Sequence, residues 1–268
     1  MKHALLFVGF FLVCQALSAL LASFAIMPFF AGANYDTLVL HTVLSTVLYS
    51  VITLATFIGM KWCPVSGNYI STKPLSVLVL VSLLSLTLIL PSTWTLELLP
   101  DKWTKDILAD TFDKLLKSPE GYIVIGLAAP LVEEVVFRGA ILRALLEWMK
   151  SSFGEFTNKK AWIAIAISAV FFAAIHMNPA QIPHAFFGGL LLGWLYYRTG
   201  SIIPGILYHW VNNSSAFLLA WAFPDVKTDA KLIEYFGNND TALTLSVIVS
   251  TIVAIPCIWQ LNRMMKRA

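Results

Sequence analysis

Eight runs of predominantly apolar residues recur along the chain, at about 4–27, 38–60, 75–94, 121–148, 161–178, 183–198, 202–222 and 242–261. A bilayer core of roughly 30 Å takes about 20 apolar helical residues to cross. Inside lipid every backbone N–H and C=O must be satisfied within the protein, which leaves helices or closed barrels. Runs of this length predict an all-α fold: a polytopic membrane helix bundle of about eight transmembrane helices, forming one membrane domain over residues 1–268. Only 12% of the 268 residues are charged and 58% are hydrophobic, against about a quarter charged in an ordinary soluble domain. The first run follows a single Lys2 and exceeds a signal-peptide core, so it reads as a retained span. Cys14, Cys63 and Cys257 are far apart with no CxxC spacing, which argues against a disulfide framework or thiolate metal site. The net charge of +3 is scattered over membrane flanks. Membrane lipid is therefore an expected partner and nucleic acid is not.

Charge placement orients the bundle. With the N-terminus in the cytoplasm and eight crossings, ten basic residues fall inside: Lys2, Lys61, Lys73, Lys150, Lys159, Lys160, Arg198, Arg263, Lys266 and Arg267. Six lysines fall outside, in the two polar connections 101–120 and 224–239. Cytoplasmic loops carry the excess of Lys and Arg, so both termini are expected to be cytoplasmic. In the first connection Trp103, Ile107, Leu108, Phe112, Leu115 and Leu116 recur at helical spacing. That predicts an amphipathic helix over Asp101–Glu120 lying at the membrane surface.

The middle spans carry residues that lipid should exclude. Glu133 and Glu134 stand side by side within GYIVIGLAAPLVEEVVFRGAILRALLEW. One ionised side chain at a helix centre costs roughly 2.5–3.5 kcal/mol on insertion scales. Arg138 follows Glu134 by four residues, on the same face and in the favourable acid-before-base order. Glu133 points about 100° away. A structural ion pair accounts for Glu134 and Arg138 but leaves Glu133 unexplained. Phe172 and His176, four apart near the end of the fifth span, share a face, as do His209 and Asn213 in the seventh. Taken singly, the histidine fits an interfacial residue and the asparagine fits a helix-to-helix glue. Three such features on neighbouring helices read as one site. Gly188, Gly189 and Gly193 read as close-packing positions, His184 as a core or interface histidine, and Thr199–Ser201 as a tight turn.

The chemistry that fits is hydrolysis of a peptide bond, which needs a base for water and donors for the oxyanion. Glu133 is the natural base and His176 can share its water. His209 and Asn213 can donate hydrogen bonds from one face, and Glu134 with Arg138 would support them. Two histidines and a glutamate also form a ligand set for catalytic zinc, so Glu133, His176 and His209 are the residues a divalent metal would use. The absence of HExxH spacing and the amide of Asn213 favour a mechanism with no metal or other cofactor. No serine elbow, cysteine–histidine pairing or phosphate-cradling glycine loop is present.

EEVVFR, FAAIH and HWVNN match the motifs EExxxR, FxxxH and HxxxN, and by them the chain resembles the CPBP family of intramembrane proteases (CAAX-protease and bacteriocin-processing, also called Abi). The likeness covers about residues 120–217, including the lead-in YYRTGSIIPGILYHWVNN. It implies an eight-helix membrane endopeptidase related to CAAX prenyl protease 2, resident in a bacterial inner membrane. Its substrate would be a peptide or protein, prenylated or bearing a leader peptide. It also implies that Glu133 and His176 activate water, that His209 and Asn213 hold the oxyanion, and that Glu134, Arg138 and Phe172 support them. Family names often say metalloprotease, so zinc remains the alternative. Two other classes compete: a proton-coupled transporter, although no paired repeats are visible, and a non-catalytic immunity or scaffold protein. In the eight-span topology His176 nears the outer end of its helix. For it to meet His209, the turn at Asn178–Pro183 must sink into a water-filled cavity.

Overall fold

The structure is a computed structural model describing residues 1–32, 36–64, 75–152, 155–227 and 230–265. Lys73, Lys266 and Arg267, which entered the charge count, lie outside the described residues. Among the described residues the fold is entirely helical. Eight long helices follow one another: α1 (Lys2–Phe30), α2 (Thr37–Gly59), α3 (Ser76–Leu96), α4 (119–152), α5 (Asn158–Ala174), α6 (Gln181–Thr199), α7 (Ile203–Ala222) and α8 (Asp240–Met264). By length and composition α1, α2, α3 and α8 are able to cross a membrane. The other four carry the polar residues of the middle spans.

Local signals set the helix ends. The Asp36 carboxylate accepts from the N–H groups of Leu38 and Val39 at 3.0 and 3.1 Å and starts α2. Asn239 accepts from Ala242 N–H at 3.0 Å and starts α8. Side-chain acceptors at these positions satisfy N–H groups that have no partner within the helix. Helix α6 stops at Gly200, whose φ of +64° is the left-handed conformation that glycine adopts without a Cβ penalty.

Lipid is as apolar as leucine, so close approach and interhelical hydrogen bonds hold such helices together. Helix α5 lies along α6, α8 along α3, α7 against both α3 and α4, and α1 against α2 and α4. A Cβ built on Gly189 would lie 3.0 Å from the Ala169 Cα, and one on Gly193 would lie 2.8 Å from the Ile165 side chain. Those two glycines set the α5–α6 spacing. Gly188 does not, because nothing stands within 4 Å of its Cβ position. The buried Ser85 hydroxyl donates to the Tyr208 carbonyl at 2.9 Å, tying α3 to α7. Ser168 donates to the Phe137 carbonyl at 3.3 Å, tying α5 to α4.

Two further expectations are corrected. The connection after α3 is not one helix: it forms Asp101–Thr104 and Ala109–Leu116, with 105–108 non-helical. Asp106 accepts from the Leu108 N–H at 2.8 Å, a local turn that competes with helical bonding. The fifth helix does not reach residue 178. It ends at Ala174, so His176 sits in the following turn rather than on a helical face with Phe172. Met177 adopts φ +51° and Pro179 follows closely. Neither continues a helix.

Candidate functional site

The two glutamates lie on the short α-helical stretch Ala129–Glu134, flanked by π-helical turns at Tyr122–Ala128 and Val135–Leu142. Such turns occur frequently at functional sites because they re-aim side chains within an otherwise regular helix. Glu134 and Arg138 are 0% and 1% exposed and joined by a 2.7 Å bond from Nη1 to Oε1. Burying charges is costly unless each is paired and further satisfied. Arg138 Nη2 accordingly also donates to the Gly189 carbonyl at 3.4 Å. Its guanidinium carbon stands 4.4 Å from the centre of the Phe172 ring, within cation–π range.

His209 reaches over this pair from α7. Its Nε2 is 3.8 Å from Glu133 Oε2 and its Nδ1 is 3.5 Å from Glu134 Oε1. Both gaps exceed a direct hydrogen bond, and the first is one that a single water can bridge. Glu133 Oε2, Glu134 Oε2, Arg138 Nε and His209 Nδ1 are buried without a hydrogen-bond partner among the described residues. Buried polar atoms are otherwise almost always partnered, so four of them together mark a place built for something polar.

Asn213, one turn beyond His209, donates from Nδ2 to the Ile125 carbonyl at 2.9 Å. That fixes the amide to the first π-helical segment and leaves it a second N–H. His176 arrives from the other side. Its Nδ1 lies 2.8 Å from the Phe172 carbonyl. A carbonyl only accepts, so Nδ1 carries hydrogen and the neutral ring keeps its free lone pair on Nε2. The 3%-exposed Phe172 ring sits between the histidines, 5.0 Å from His176 and 6.0 Å from His209, nearly perpendicular to each.

The structure thus gathers Glu133, Glu134, Arg138, Phe172 and His209 in direct contact, with His176 across Phe172 and Asn213 one helical turn along. Sequence reasoning passed over two residues. His184, read as a core or interface histidine, lies near Asn212, His176 and His209. Gly205 lies against Glu134: a Cβ there would stand 2.5 Å from Oε2. His184 has no partner at a telling spacing in the sequence, and the meaning of Gly205 depends on a helix some seventy residues away. Of the alternative zinc set, Glu133 and His209 stand 3.8 Å apart, and the His176 ring lies across Phe172 from His209.

A groove of about 550 Å³ runs between the start of α4 and α7, lined by Pro119, Tyr122, Trp210, Phe217, Leu218 and Trp221 among others and by none of the cluster residues. Tyr122 braces it, its hydroxyl 3.2 Å from Ser214 Oγ and accepting from Trp210 Nε1 at 3.2 Å. Residues 118–215 match a family model described as type II CAAX prenyl endopeptidase Rce1-like. Neither the curated proteins nor the solved structures include a match to the chain.

Proposed function

We propose, from this chain's membership of the CPBP/CAAX protease family through residues 118–215, that it is an intramembrane endopeptidase of the CAAX-processing type. The observation that carries the reading is the buried group of unpartnered polar atoms on Glu133, Glu134, Arg138 and His209, one turn from the Asn213 amide.

Glu133 takes a proton from water, and the resulting hydroxide attacks the carbonyl carbon of the scissile peptide bond. The free Nε2 of His176 accepts a second hydrogen bond from that water and holds it in line. Oxyanion charge grows as the tetrahedral intermediate forms, and His209 with the second Asn213 N–H donates to it. Collapse breaks the C–N bond, and Glu133 returns its proton to the departing amine. Arg138 holds Glu134 in place, and Phe172 keeps the two imidazoles apart and oriented. The apolar groove between the start of α4 and α7 is of a size and lining to take a lipid chain on the substrate.

The test compares purified wild-type protein with Glu133→Ala on a prenylated peptide, its unprenylated counterpart and a mixed peptide library, each with and without chelator. Cleavage of the prenylated peptide, lost in the variant, is expected. Removing an oxyanion donor with Asn213→Ala should lower kcat by about 10²–10³-fold. Cleavage that survives in Glu133→Ala would sink the assignment. Activity lost to chelator and restored by zinc would replace the metal-free mechanism with a metal-assisted one.

A further inference from the structure

The turn that delivers His176 is held from outside the catalytic helices. Asn178 is 0% exposed, although Met177 beside it is 76% exposed. Its side chain bonds into the surface connection seventy residues earlier: Nδ2 donates to Asp106 Oδ1 at 2.8 Å, and Oδ1 accepts from the Ile107 N–H at 3.2 Å. Its carbonyl accepts from the N–H groups of Gln181 and Ile182 at 2.9 and 3.1 Å and starts α6. On the other flank the His176 N–H bonds back to the Ala173 carbonyl at 3.2 Å. His176 is therefore strung between the end of α5 and a fully buried asparagine two residues on, with the left-handed Met177 as the only link.

We infer that Asp106 and Asn178 form a latch that positions His176, so that the surface connection between α3 and α4 sets the geometry of the site. The latch is a contact in its own right, and its effect on turnover rests on the proteolytic reading. Asp106 Oδ1 accepts from both Asn178 Nδ2 and Leu108 N–H, which explains why this connection breaks its helix where it does. Asp106 and Asn178 are positioning residues: they reach the reaction only through the backbone of the turn.

The pairing makes an exchange experiment decisive. Asp106→Asn keeps an oxygen for both donors and should behave as wild type. Asn178→Asp sets two carboxylates face to face and should open the latch. The double exchange Asp106→Asn with Asn178→Asp reverses donor and acceptor and should close it again. Hydrogen exchange at residues 105–108 and 175–182 should rise in Asn178→Asp alone and return in the double variant. In parallel, kcat on the prenylated peptide should fall on the order of 10²-fold, as for an ångström-scale misplacement, with KM little changed, and recover in the double variant. Exchange rates equal in all forms, or a double variant no better than Asn178→Asp, overturn the latch. Exchange that responds while kcat stays level overturns its positioning role. A wild type inert on every peptide instead defeats the proteolytic reading, and the exchange data still read the latch.

Discussion

At the scale of single residues, the site depends on what is missing as much as on what is present. Glu134 Oε2 has room only because position 205 has no side chain. Gly205→Ala should push the carboxylate aside, disturb Arg138 and Phe172 with it, and lower kcat on the order of 10²-fold while the protein still purifies as a folded monodisperse species. Gly188→Ala is the control, since its Cβ meets nothing within 4 Å. It should leave kcat unchanged and stabilise the helix by at most about 1 kcal/mol, read as a thermal midpoint in detergent. Equal kcat in both variants would remove Gly205 from the site. Motif spacing made Glu134 with Arg138, and His209 with Asn213, legible as same-face pairs because each pair lies on one helix. It did not reveal that His209 stands against both glutamates, that His184 joins the histidines, or why Gly205 matters. Those facts belong to helix crossings, which no spacing within one helix encodes.

At the scale of elements, the eight apolar runs located the long helices closely, because length and hydrophobicity are local properties. The connection 101–120 was misread as one helix because its apolar period continues through 105–108, whereas its backbone follows the side chain of Asp106. The second half of that connection, Ala109–Leu116, is tied to the start of α2 by a 2.7 Å bond from Lys114 Nζ to Asp36 Oδ2. Asp36 caps α2 with its other oxygen. The Lys114 bond, with the Val39 and Leu38 N–H groups, holds the Asp36 carboxyl below its ordinary value. The sign follows: a carboxyl whose folded pKa is depressed contributes stability that is fully present above the ordinary Asp value of about 3.9 and lost as pH falls through the lower, folded one. Acidification below about pH 4 should therefore loosen this helix and the first turn of α2 together, seen as faster hydrogen exchange at 109–116 and 38–41. Asp36→Asn should abolish the acid step. Both side chains are more than two-fifths exposed, so added salt should weaken the tie as well; an acid step of the same size in Asp36→Asn would refute the coupling.

At the scale of the whole molecule, the number of membrane crossings fixes which side of the membrane each connection faces. Four helices are long and apolar enough to cross, whereas the sequence divides into eight runs. Two of the helices that fall short, α4 and α7, carry polar groups that meet inside the bundle: Glu134 meets Arg138, His209 stands beside both glutamates, and Asn213 bonds the Ile125 carbonyl. Helix α5 has 17 residues, about 25 Å at 1.5 Å per residue, short of a roughly 30 Å core. The two topologies make opposite demands on the connection between α4 and α5. With eight crossings, Ser151 and Ser152 lie in the cytoplasm beside Lys150, Lys159 and Lys160, as the positive-inside rule favours. With four, everything between α3 and α8 stays on the far side. Ser151 and Ser152 are exposed and Cys14, Cys63 and Cys257 are buried, so a Ser151→Cys variant gives a reactive thiol against a quiet background. A membrane-impermeant maleimide should label it in inside-out vesicles and spare it in intact cells. Labelling of intact cells would contradict the eight-crossing arrangement and put the connection between α4 and α5 on the opposite face of the membrane.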